Sequence, residues 1–140
     1  MTDFATMSVR SVRDAMAPDG SEVKVLLGLA GGGMAQFELG PGKVSKAVAH
    51  RTVEEIWYIL SGMGEMWRRQ GARSEVVELA PGTCLTIPLG TAFQFRSLGP
   101  EPLVAIAVTM PPWPGDGEAL EVEGAWEASV RQAPDRSGEP

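Results

Sequence analysis

Apolar and polar residues alternate along most of this chain in short runs, and each run ends on turn chemistry. Breaks fall at Asp19-Gly20, Gly31-Gly32-Gly33, Gly40-Pro41-Gly42, Ser61-Gly62, Gly71, Pro81-Gly82, Pro88-Leu89-Gly90 and Gly99-Pro100. The runs between them are rich in Val, Ile, Leu, Phe and Trp. They predict strands over 22–29, 34–39, 44–49, 55–60, 64–69, 75–79, 84–87, 92–96 and 103–109. Strands recurring every roughly 8–12 residues indicate an all-β sandwich or barrel. No segment between them is long enough for the crossover helix of a parallel α/β fold. One helical turn is expected around 12–16.

After Thr109 the pattern changes. Met110-Pro111-Pro112-Trp113-Pro114-Gly115 lacks the backbone donors of a central strand. Residues 110–126 are therefore expected to cross the barrel surface in extended form, anchored by Trp113 and Trp126. The predicted organisation is a single barrel domain over 1–130, with its core at 34–109, and a polar, flexible tail over 131–140.

Composition narrows the function classes. The 140 residues are enough for one core without disulfides or structural zinc. A net charge of -6 argues against electrostatic binding to nucleic acid or an anionic membrane. The lone Cys84 excludes an intrachain disulfide and is expected to be a buried, unreactive thiol. No signal peptide is evident and the apolar stretch 103–110 is too short to span a bilayer, so a cytoplasmic protein is expected.

The chemistry concentrates around one histidine. Gly42 is followed after five residues by Val48-Ala49-His50, then after four more by Glu55, and after six more by Gly62. Downstream, Gly82 is followed by Pro88-Leu89-Gly90, then Phe93 and Ser97. This spacing resembles the two motifs of the cupin superfamily, in which Gly-x5-His-x-His-x(3,4)-Glu-x6-Gly precedes Gly-x5-Pro-x-Gly-x2-His-x3-Asn. The resemblance implies a cupin jelly roll, or double-stranded β-helix barrel, with four metal ligands in its mouth. Here Val48 and Phe93 occupy two of the histidine positions, and Ser97 that of the asparagine. Only His50 and Glu55 remain, and His50 is the one histidine in the chain. Catalytic zinc needs about three protein ligands, and non-heme iron two histidines and a carboxylate. No metal or other cofactor is therefore expected; a divalent metal, if held, would use His50 and Glu55, with Glu54, Cys84 or Thr52 completing the set.

Strand alternation places Glu55, Trp57 and Ile59 on one face, Val48 with His50, and Phe93 with Phe95, leaving Gln94 and Arg96 on the opposite face. The expected interior is an apolar, aromatic pocket holding one imidazole and one carboxylate, as small-molecule sites commonly do. His50 and Glu55 are the candidate catalytic pair, His50 as general acid or base and Glu55 orienting it or sharing the proton. Val48, Trp57, Phe93, Phe95 and Ile59 are the candidate substrate-binding residues. The reading is a small-molecule cupin, with metal-independent isomerisation, elimination or cyclisation as its chemistry. Its alternatives are a metal-dependent oxygenase or isomerase with an unusual ligand set, and a non-catalytic binding module. Bland roles compete for each residue: His50 as a satisfied core histidine, Glu55 as a rim residue paired with Arg51, and Trp67-Arg68-Arg69 as a solvated hairpin end. The expected partners are a small-molecule ligand and a second copy of the chain, since an open jelly roll leaves strand edges to cover. Residues 7–10 would add a strand to that partner.

Overall fold

A computed structural model describes residues 1–129. Eleven strands follow a short 3-10 turn at Val9–Ser11. They are β1 (Ala15–Met16), β2 (Glu22–Leu29), β3 (Gly32–Leu39), β4 (Val48–His50), β5 (Glu54–Ser61), β6 (Gly64–Gln70), β7 (Arg73–Leu79), β8 (Cys84–Ile87), β9 (Ala92–Ser97), β10 (Leu103–Met110) and β11 (Ala119–Glu121). The strands form two antiparallel sheets, ordered β1-β2-β3-β10-β5-β8 and β11-β4-β9-β6-β7. This is the expected all-β jelly roll. Among the described residues, no helix is long and apolar enough to cross a membrane.

The core follows from alternation. On β5, Glu55, Trp57 and Ile59 are buried while Glu54, Ile56, Tyr58 and Leu60 are exposed. On β10, Leu103, Ala105, Ala107 and Thr109 are buried. These faces meet Val48, Met66, Phe93 and Phe95 of the other sheet in one hydrophobic cluster. Within it Trp57 stacks on Phe37 at 5.1 Å and meets Phe95 edge-on at 5.1 Å, geometries that aromatic quadrupoles favour.

Several expectations need correction. The predicted strand over 44–49 is mostly irregular: Val44 makes one isolated bridge to Arg96, and the regular strand begins at Val48. Its backbone finds other partners, Ser45 N donating to Phe95 O and Lys46 N to Asp19 O. The turn expected at 12–16 lies earlier, at Val9–Ser11, so part of the segment expected to add a strand to a partner is a 3-10 turn here. Cys84 is exposed, because on β8 Leu85 and Ile87 take the inward positions.

The opposite face of β9 is covered as well. Residues beyond β11 pack across it, where Gln94 donates to Ser45 O and Trp126 O and accepts from the amides of Ala125 and Trp126. Trp126 lies against Arg96 at 4.1 Å, so it does anchor the crossing segment. Trp67 fills a core position, buried with Ala47 and Ala92, as an aromatic on a strand is expected to. The flexible tail expected at 131–140 lies outside the described residues.

Candidate functional site

The barrel encloses a cavity of about 480 Å³ between the β1–β2 edge and the inner faces of β3, β4, β5 and β9. Val48, His50, Glu55, Trp57 and Phe93 line it, so five of the seven residues singled out from the sequence come together there. Ile59 and Phe95 do not; they are fully buried in the core. The strand register explains the gathering. Val48 stands opposite Phe93 on β4 and β9, two residues from His50, while Glu55 stands opposite Thr109 on β5 and β10.

Glu55 is held from two sides. Its Oε1 accepts from the Trp57 indole at 2.9 Å and its Oε2 from the Thr109 hydroxyl at 2.6 Å. Charge-assisted bonds of this kind fix a buried carboxylate without a countercharge. Arg51, the surface base considered for it, donates instead to the Gly117 carbonyl.

His50 is 8% exposed and edges against Phe93 at 5.3 Å and Trp113 at 5.1 Å. Its Nδ1 is buried with no hydrogen-bond partner among the described residues, unlike the satisfied core histidine of the bland reading. Burial lowers its pKa from 6.5, against the opposing pull of Glu55 and Glu118. Burial thus favours the neutral imidazole over the charged one. No hydrogen bond joins His50 to Glu55 among the described residues; the two act on each other through charge alone.

Three residues escaped the sequence reading. Asp19 lines the same cavity and is 4% exposed. Its Oδ1 accepts from the Ser21 amide at 2.9 Å and the Ser21 hydroxyl at 2.6 Å, and no hydrogen bond to Oδ2 is found among the described residues. Burial is the main force raising its pKa to about 6, opposed by the Ser21 bonds, with the charge of Glu55 adding to the rise. The Asp-Gly-Ser turn was visible in the sequence; its burial was not, because the turn is pinned by Lys46 from a distant segment. Thr109 was read only as part of a strand. Glu118 is also buried, where it accepts from Thr52 N at 2.7 Å, Thr52 Oγ1 at 2.6 Å and Val53 N at 3.0 Å, fixing the link between His50 and Glu55. Burial would raise its pKa, but those hydrogen bonds and His50 outweigh it and lower it.

Residues 35–109 match the family described as Cupin domain. The chain belongs to the cupin family. Solved structures agree with the fold. This cupin is 21% identical to an uncharacterized conserved protein with a double-stranded beta-helix domain from Klebsiella pneumoniae, with a TM-score of 0.66 over 87% of this chain and 100% of that one. It is 19% identical to KdgF from Halomonas sp., with a TM-score of 0.68 over 80% of this chain and 97% of the other. It is 18% identical to the capsular polysaccharide assembling protein CapF from Staphylococcus aureus, with a TM-score of 0.67 over 81% of this chain but only 34% of CapF. No curated protein matches it in sequence.

The residues present do not fit the metal that the cupin motifs imply. Val48 and Phe93 fill two ligand positions with hydrocarbon, and both oxygens of Glu55 already accept hydrogen bonds. The conceivable replacements point elsewhere: Glu54 is exposed and accepts from Leu89 N, Thr52 donates to Glu118, and Cys84 is exposed. Among the described residues, no three of His, Cys, Asp and Glu converge where they could hold an ion.

Proposed function

We propose that this cupin binds a small, partly apolar organic molecule in the barrel cavity and moves a proton on it without a metal. The net reaction is an isomerisation, elimination or cyclisation. One observation carries this reading: a buried imidazole with an unsatisfied nitrogen stands on the wall of an apolar cavity. A buried polar atom without a partner costs about 1–3 kcal/mol, which a ligand group can recover. His50 would accept a proton from a carbon next to an electron-withdrawing group, the electron pair moving into that group. The imidazolium would then return the proton: to another carbon in an isomerisation, to the departing group as its bond breaks in an elimination, or to the oxygen of a carbonyl whose π bond opens as the ring bond forms in a cyclisation. Glu55, already oriented by Trp57 and Thr109, would favour the charged imidazole while it carries the proton.

The test is solvent deuterium incorporation into a bound ligand, followed by NMR, in the native protein and in His50→Ala and His50→Gln. Exchange should be lost in both variants while the fold persists. Exchange that continues undiminished in His50→Ala would overturn the proton-transfer reading. Tight binding with no exchange even in the native protein would identify a binding module instead.

A further inference from the structure

The charge inventory of the cavity is one-sided. Among the described residues that line it, Asp19 and Glu55 are acids, burial disfavours the charged form of His50, and no lysine or arginine is present. Lys46 instead lines an adjoining groove with Asp116 and Glu121, which shares Val48 and Trp113 with this cavity. Glu118 adds a further carboxylate near His50. Two of the polar residues are more than nine-tenths buried and keep bonding capacity: His50 Nδ1 has no partner among the described residues, and the hydrogen bonds from Ser21 to Asp19 both end on Oδ1. The remaining walls include the aromatic side chains of Phe37, Trp57, Phe93 and Trp113.

We propose that the cavity takes ligands carrying a positively charged nitrogen on an apolar body, with the charged head seated against Asp19 and Glu55. The two acids repel across the cavity, and burial penalises the charge on Asp19; a cation between them offsets both effects and supplies an N–H donor to Asp19 Oδ2. Aromatic walls add to the selectivity, because their quadrupoles attract cations. The same inventory disfavours carboxylates and phosphates, which would meet no positive group. Asp19 tunes the site with pH. Its pKa of about 6 keeps it mostly ionised at neutral pH and protonates it below, so cation binding weakens as pH falls through that value. The inference rests on the cavity as the ligand site, and is independent of the proton-transfer step.

Three probes of similar shape decide it: 2-phenylethylammonium, 2-phenylethanol and 3-phenylpropionate, titrated against the full chain by calorimetry and tryptophan fluorescence. The ammonium should bind at least about tenfold more tightly than the alcohol, and the carboxylate weakest, at roughly pH 7.5. Asp19→Asn keeps the acceptor for Ser21 and should cost the ammonium about tenfold while changing the alcohol less than about threefold. In the native protein, ammonium affinity should decline between roughly pH 7 and 5. Equal or tighter binding of the alcohol or carboxylate would overturn the charge preference and leave the cavity reading standing. Binding of none of the three would overturn both.

Discussion

Thr109 and Glu55 face each other across the β10–β5 ladder, and the threonine hydroxyl donates to the glutamate carboxylate at 2.6 Å in a buried setting. The pair links the last core strand to the first motif strand, and with Trp57 it determines which way the carboxylate looks. Thr109→Val keeps the shape and removes the donor. Chemical denaturation should show a loss of about 1–3 kcal/mol, the usual cost of a buried acceptor left short. Thr109→Ser should recover most of it. An unchanged midpoint in Thr109→Val would mean that Glu55 does not depend on this bond.

Asp19 gives a stability signature of opposite sense to an ordinary surface acid. Its pKa is raised from 3.8 to about 6, so within that window the folded state holds a proton that the unfolded state releases. Its contribution is most favourable at low pH and is lost as pH rises through the window. Asp19→Asn should therefore stabilise the protein at neutral pH, by an amount on the order of 3 kcal/mol, and have little effect near pH 4. Urea unfolding at several pH values measures this. His50 works the other way. Its lowered pKa means the unfolded state takes up the proton first, so the stability it provides is present at neutral pH and falls away below about pH 6.5. A gain from Asp19→Asn paired with lost cation binding would mark Asp19 as retained for function at a cost in stability.

Val48 and Phe93 are paired across β4 and β9 and share the cavity with His50 and Glu55. Val48→His combined with Phe93→His should restore a four-ligand set and bind one divalent transition metal per chain. Elemental analysis of protein prepared without a histidine tag checks it. Failure to retain any metal would show that these four positions do not converge as the motif register requires.

Gly62 closes the first motif with φ at +85°, and a Cβ there would press into the Pro102 carbonyl. Gly62→Ala meets both a left-handed backbone and a backbone clash, so it should lower stability by several kcal/mol, on the order of 3. Gly42 has a similar φ but open space around it. Gly42→Ala should cost no more than about 1–2 kcal/mol. Thermal melts of the two variants separate backbone strain from steric exclusion.

On the outer face of the larger sheet, Ile56, Tyr58 and Leu60 are exposed, and Ile56 and Tyr58 sit beside Val108 and Ile106 of β10. An apolar ridge of this kind on a sheet is suited to burial against a second copy. The chain should run as a homodimer by light scattering at micromolar concentration, and Ile56→Glu with Tyr58→Lys should yield a folded monomer. A native protein that is already monomeric would remove this expectation.

The sequence by itself determined most of the strands and their inward set. Alternation is a local property of a strand, so the inward positions of 55, 57 and 59, of 48 and 50, and of 93 and 95 followed from spacing and turn residues. Motif spacing likewise identified the histidine positions that hydrocarbon fills. What the tertiary structure decided was everything that depended on contacts between distant segments. Asp19 became a cavity acid because its turn is bonded to Lys46; Glu118 reached Thr52 and Val53 from 65 or 66 residues away. Ser45 and Lys46 left their expected strand because the Asp19 carbonyl accepts from the Lys46 amide, while the Gln94 and Ser45 side chains donate to their two carbonyls. Cys84 faced outward because register, set by pairing with β5, fixes the face that a short strand shows. Hydrophobic periodicity reports which side of a strand is buried; it carries no record of which remote donor or charge will meet it there.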